Sequence, residues 1–161
     1  LLVIALLDNT VMSNFALVER PDLLRTAFGG TLATPQQAFN ELVAGVRRGK
    51  LPDLDWSWLS VWALEAAETP HYRQFLRRLN AGEAACLAMA IHREGRLVTD
   101  DRDARELAHR LRIPLSGTLG VLVRLVDVGA LQVEQADALL SRMMVAGYYW
   151  PVVSLEELQR M

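Results

Sequence analysis

Apolar residues in this chain come in two textures. Val3-Ile4-Ala5-Leu6-Leu7 is apolar at every position, which suits a strand buried on both faces of a parallel sheet. Elsewhere the spacing is helical: Ala104, Leu107, Ala108 and Leu111 follow i, i+3, i+4, i+7. Read this way, the chain predicts strands at 3–7, 31–33, 96–99 and 113–115. Helices are predicted near 11–19, 22–28, 35–48, 70–79, 82–94, 101–112, 118–128 and 133–146. The punctuation agrees with these bounds. Pro21 separates two helices, Gly29-Gly30 stops the second, and Gly95 closes a later one. Thr34-Pro35 reads as an N-cap followed by a first-turn proline. Strands alternating with helices predict an α/β domain of three layers, a short parallel sheet flanked by helices.

One stretch, 51–68, resists this reading. Trp56, Trp58 and Trp62 sit at even spacing, which would put them on one face of an extended segment. Core packing and a partner surface both fit that placement.

With 161 residues and 52% hydrophobic content, the chain suits one domain over 1–161 with a proper core. Its longest apolar runs, 1–7 and 84–91, fall far short of the roughly 20 residues that span a bilayer, so no membrane partner is expected. No charged segment and cleavage site of secretory type precede an apolar run. Cys86 is the sole cysteine and has no internal disulfide partner, which fits a reducing, cytoplasmic setting. Net charge is −2, so a nucleic-acid partner would need a local basic patch, or bound cations that invert the sign of an acidic site.

The candidate chemistry is carboxylate chemistry. Asp8 ends the first strand, and an acid there is costly unless paired, hydrogen-bonded or metal-bound. Asp100, Asp101 and Asp103 crowd the junction between the strand at 96–99 and the helix after it. Capping and the helix dipole account for one or two of these acids, not three. Glu83 opens a helix that is apolar through Ile91, where it would complement the dipole or face a site at the sheet edge. Glu41 points away from its helix's stripe of Phe39, Leu42, Val43 and Val46, so periodicity alone makes it solvated. No Walker loop, G-x-S-x-G or Cys pair is present, and the histidines lack metal-ligand spacing. Oxygen ligands for a hard divalent cation are what remain.

These segments resemble the PIN domain, the ribonuclease fold of VapC-type toxins. Leu6-Leu7-Asp8-Asn9-Thr10 is similar to the family's first-strand Asp and the polar position after it. Thr34-Pro35 with Asn40-Glu41-Leu42 is similar to its proline-started helix carrying an acid before Leu. Leu97-Val98-Thr99-Asp100-Asp101-Arg102-Asp103 resembles its v-T-x-D-r-D strand end, which selects Asp101 as the core acid with Asp103 beside it. Gly82-Glu83-Ala84-Ala85 and the 113–122 segment look closest to an uncharacterised PIN-like subgroup, and many toxins carry Asp where this chain has Glu83.

The resemblance implies a metal-dependent endoribonuclease, the toxin half of a toxin–antitoxin pair, acting on single-stranded or structured RNA. Asp8, Glu41, Glu83 and Asp101 are its implied catalytic acids. Asp8, Glu83, Asp101 and Asp103 are the implied ligands of Mg²⁺ or Mn²⁺, and Glu41 would orient water or hold a second ion. Arg47, Arg48, Arg102 and Arg105 become candidates for flanking phosphates, or for plain solvated helix faces. A small antitoxin and a homodimer are the expected partners. The rival reading is a non-catalytic PIN-like binding module with a vestigial metal site. Its interface would be the tryptophan segment and Tyr148-Tyr149-Trp150.

Overall fold

The computed structural model describes residues 3–148. Five parallel strands form one sheet in the order β3-β2-β1-β4-β5. They are β1 (Ala5–Leu7), β2 (Leu32–Pro35), β3 (Ser60–Trp62), β4 (Arg96–Val98) and β5 (Leu115–Ser116). Among the described residues eight α-helices connect and follow them: α1 (Asn9–Leu17), α2 (Asp22–Phe28), α3 (Gln36–Arg47), α4 (Thr69–Phe75), α5 (Ala81–His92), α6 (Arg102–Arg110), α7 (Thr118–Asp127) and α8 (Val133–Val145). No helix among the described residues is long and apolar enough to cross a membrane.

The continuous apolar run of β1 works as expected, because both faces of the sheet are covered. Ala5 and Leu7 point into one core with α1, α2, α7 and α8, while Leu6 points into the other with α5 and α6. Val98 and Leu97 of β4 divide in the same way. Helix α5 is buried at every position from Gly82 to Ala90, so its first turn is held against the sheet edge. Fully burying a large apolar side chain is worth roughly 1.5–3 kcal/mol, so two such cores dominate the fold.

Boundaries differ from the pattern at several elements. Thr34 and Pro35 are the last residues of β2, and α3 starts at Gln36. Thr34 is no cap, since its hydroxyl donates to the Leu7 carbonyl at 2.8 Å and ties β2 to β1. Helix α5 ends at His92, and Glu94, not Gly95, takes the left-handed turn with φ 51°. Gly95 serves close packing instead, for a Cβ there would stand 3.1 Å from the Ile4 carbonyl oxygen. The segment at 51–68 hides β3, which pairs with β2 through Ala33↔Ser60 and Pro35↔Trp62. The three tryptophans do not share one face. Trp56 is buried in one core with Trp58 packed against it, and Trp62 packs on the other core under the Arg93 guanidinium.

Candidate active site

Parallel pairing brings the carboxyl ends of β1 and β4 side by side. The register Leu7↔Val98 makes Asp8 and Thr99 neighbours, and the Asp8 amide donates to the Val98 carbonyl at 2.9 Å. Asp8 is wholly buried at the N-cap of α1, yet its side chain makes no cap bond. Its Oδ2 accepts from the Thr99 hydroxyl at 2.8 Å and the Thr10 hydroxyl at 2.9 Å. Its Oδ1 is buried with no hydrogen-bond partner. An unpartnered buried carboxylate oxygen is costly and calls for a proton or a cation. Burial pushes the Asp8 carboxyl above its ordinary range.

The two threonines join this acid to the next pair. Thr99 Oγ1 accepts from the Asp101 amide at 3.1 Å, and Thr10 Oγ1 accepts from the Asp100 amide at 3.0 Å. Each hydroxyl thus receives a backbone N–H from the β4–α6 junction and directs its own proton to Asp8. Thr10 stands out in the sequence as the polar position after Asp8. Thr99 does not, and its place inside the strand-end motif is the one signal it carries.

Glu83 enters from α5. Asn80 caps that helix, its Oδ1 accepting from the Glu83 amide at 2.9 Å. The Glu83 carboxylate in turn accepts from the Asn80 amide at 3.1 Å and from Asn80 Nδ2 at 3.0 Å. This is a reciprocal capping box, and the spacing Asn80-x-x-Glu83 is its sequence signature. Burial, the Asp8 charge and the Asp101 side chain push Glu83 up to about 8. Glu41 enters from α3, and its Oε1 accepts from the Gly82 amide at 3.0 Å. Burial and the Asp8 charge raise its carboxyl too. Periodicity misplaces Glu41, because α3 packs its second face against α5. Gly82 permits the approach, since a Cβ there would lie 2.6 Å from Glu41 Oε2.

Asp8, Glu41, Glu83 and Asp101 therefore form one electrostatic cluster at the carboxyl edge of the sheet, where open parallel sheets bind ligands. No lysine or arginine is among the groups that shift Asp8, Glu41 or Glu83. Asp101 also caps α6, its Oδ1 accepting from the Ala104 amide at 2.8 Å. Asp103 stands exposed in the first turn of α6, apart from the contacts that join the other four. Asp100 is a staple rather than a ligand. Its oxygens accept from the Thr118 amide at 2.9 Å, Asn14 Nδ2 at 3.0 Å and the Thr118 hydroxyl, fixing α7 to α1 and β4. Tyr148 Oη adds a long contact to it at 3.5 Å, so this ring packs within the chain, while Tyr149 and Trp150 lie outside the described residues.

A groove of about 560 Å³ reaches the cluster at Asp101 and is lined also by Asn9, Thr10, Ser13, Asp100 and Tyr148, while Asp8, Glu41 and Glu83 do not line it. A more apolar pocket of about 490 Å³ lies between α3 and residues 53–61, and none of the four acids lines it.

All-oxygen donors, mutual repulsion and the orphaned Asp8 Oδ1 fit a hard divalent cation. Among the described residues, no three His, Cys, Asp or Glu side chains are already gathered as a metal-holding group. The hydrogen bonds say why: Glu83 is turned back onto Asn80 and Asp101 onto its own helix.

A protein-family model described as a PIN domain matches residues 4–160. Among curated proteins, none matches the chain.

Proposed function

The chain belongs to the PIN-domain family, and from that footing we propose that it is a divalent-metal-dependent endoribonuclease of the VapC type. PIN domains are generally nucleases and typically use divalent metal ions. The observation that carries the reading is the electrostatic coupling of Asp8, Glu41, Glu83 and Asp101, from four separate elements, together with the buried unpartnered Oδ1 of Asp8. Structural caps and dipole partners need no such convergence.

In this reading Asp8 and Asp101 hold the principal Mg²⁺ or Mn²⁺, with Glu83 as a direct or water-mediated ligand and Asp103 in support. When bound, such an ion lowers the pKa of a water and neutralises phosphate charge during in-line attack. Glu41, fixed on the Gly82 amide, orients the attacking water or takes a second ion. Thr99 and Thr10 keep Asp8 aimed. To ligate a cation, Glu83 would have to be ionised and release its bonds to Asn80.

The substrate is single-stranded or structured RNA, and the setting is a cytoplasmic toxin–antitoxin pair with a small antitoxin. A homodimer is the expected assembly. The test is cleavage of single-stranded RNA with Mg²⁺ or Mn²⁺. Asp8→Asn and Asp101→Asn should abolish it in folded protein, and EDTA should stop it reversibly. Unchanged cleavage by Asp101→Asn would assign the activity to a contaminant and leave the binding-module reading standing.

A further inference from the structure

The groove that reaches the cluster at Asp101 differs in character from the cluster itself. Its charged lining residues are Asp100 and Asp101, and no lysine or arginine among the described residues lines it. A phosphate entering it would meet carboxylates alone, so the groove suits an uncharged part of a ligand.

Its polar wall comes from α1. Asn9 with Ser13, and Thr10 with Asn14, are two neighbouring i, i+4 pairs, so one flank of the helix gives the groove four neutral hydrogen-bonding side chains. Two of these are committed elsewhere. Thr10 donates to Asp8 and accepts from the Asp100 amide, and Asn14 Nδ2 donates to Asp100 and Thr118. Asn9 and Ser13 differ. Among the described residues their one side-chain bond is to each other, the Ser13 hydroxyl donating to Asn9 Oδ1 at 2.9 Å. That bond fixes which end of the Asn9 amide faces Ser13. It leaves the Nδ2 hydrogens free as donors, beside a Ser13 oxygen that can still accept. Leu17 adds apolar lining, and Tyr148, half-buried with its Oη 3.5 Å from Asp100 Oδ1, adds an aromatic one.

A flat, uncharged group with donors and acceptors on its edge matches this lining, and a nucleobase is such a group. The volume of about 560 Å³ lies within the usual range of small-ligand sites, about 300–1,000 Å³. We propose that the groove is a nucleobase subsite, in which Asn9 and Ser13 read the polar edge of one unpaired base and Tyr148 packs on its face. Unpaired bases in single-stranded RNA are recognised by this combination of edge hydrogen bonds and aromatic packing. The proposal rests on the nuclease reading above and supplies that reading with a source of sequence preference. Because the groove meets the cluster at Asp101, the nucleotide whose base fills it presents its own phosphate to the acids.

A nuclear magnetic resonance titration of the isotope-labelled full chain with ApA, CpC, GpG and UpU in EDTA reads base binding with the chemistry off. The parent should bind one of the four on the order of tenfold more tightly than the weakest, with shifts at the Asn9 side-chain amide, Ser13 and Tyr148. Asn9→Ala and Ser13→Ala should each bring the four affinities together. Tyr148→Ala should weaken all four alike, on the order of tenfold, because stacking tolerates every base. Alanine is a better helix former than Asn or Ser, so the two α1 variants should stay folded, and circular dichroism checks all three. No binding by the parent, equal binding of all four, or a preference that survives both α1 substitutions overturns the proposal. Cleavage is scored separately, by mapping cut sites with Mn²⁺ present. Metal-dependent cutting without base preference leaves the nuclease reading standing and removes the subsite. Selective binding in a parent that does not cut RNA removes the nuclease reading and leaves a base-binding groove.

Discussion

Asp8 and Thr99 are 91 positions apart in sequence, and the Thr99 hydroxyl donates to Asp8 Oδ2 at 2.8 Å. The same oxygen of Thr99 accepts from the Asp101 amide, so one hydroxyl sets the distance between two of the four acids. Thr99→Val keeps the shape and removes both bonds inside a fully buried site. It should lower stability by about 1–3 kcal/mol, the cost of leaving buried polar groups unpaired. It should also shrink the rise in melting temperature given by Mg²⁺ or Mn²⁺. A variant with parent-like stability and metal response would remove Thr99 from the site's architecture.

The pH dependence follows from Glu83. Its folded-state value is about 8, against an ordinary 4.5, so the folded protein binds more protons than the unfolded chain between those limits. The stability this group contributes is full below about 4.5 and is lost as pH rises through about 8. Urea unfolding of the metal-free protein should therefore show stability declining across that window. Glu83→Gln, which cannot ionise, should flatten the decline. A Glu83→Gln curve parallel to the parent's would place the titrating group elsewhere.

Much of this architecture is legible in the sequence, and the failures have identifiable causes. β1 and the α6 stripe are readable because burial on two faces, or on one, leaves a clean pattern. β3 is hidden because a three-residue edge strand leaves too short a pattern and one position of it is exposed. Glu41 reads as solvated because periodicity sees only the main apolar stripe, not a second face packed on α5. The resemblance to the PIN domain supplies what periodicity cannot. Asp100 is one acid of a crowded junction in sequence, and only the fold reveals that Asn14 and Thr118 already occupy its oxygens.

Gly82 makes a separate prediction. Any Cβ there would meet Glu41 Oε2 at 2.6 Å, so Gly82→Ala must push the Glu41 carboxylate off the helix start. Alanine is otherwise the better helix former by about 1 kcal/mol, so much of the stability cost is offset. RNA cleavage should fall more than stability does, and Glu41→Gln should reduce activity little further when added to Gly82→Ala. Fully additive effects would mean that Glu41 and Gly82 act independently.

The metal response is the sharpest expectation for Asp8. In the metal-free protein its Oδ1 is buried and unpartnered, and the nearby acids add repulsion. Asp8→Asn replaces that charge with a neutral amide whose oxygen can still accept from Thr10 and Thr99. Without metal, the variant should melt at the parent temperature or above it. With metal, the parent gains by mass action, about 2.7 kcal/mol at a hundredfold excess over the dissociation constant, and the variant gains little. The two melting curves should therefore cross as Mn²⁺ is titrated in. If Asp8→Asn is strongly destabilised without metal, Asp8 is a structural acid. If it keeps the full metal gain, the ion sits on other carboxylates and the assignment of Asp8 as a principal ligand falls.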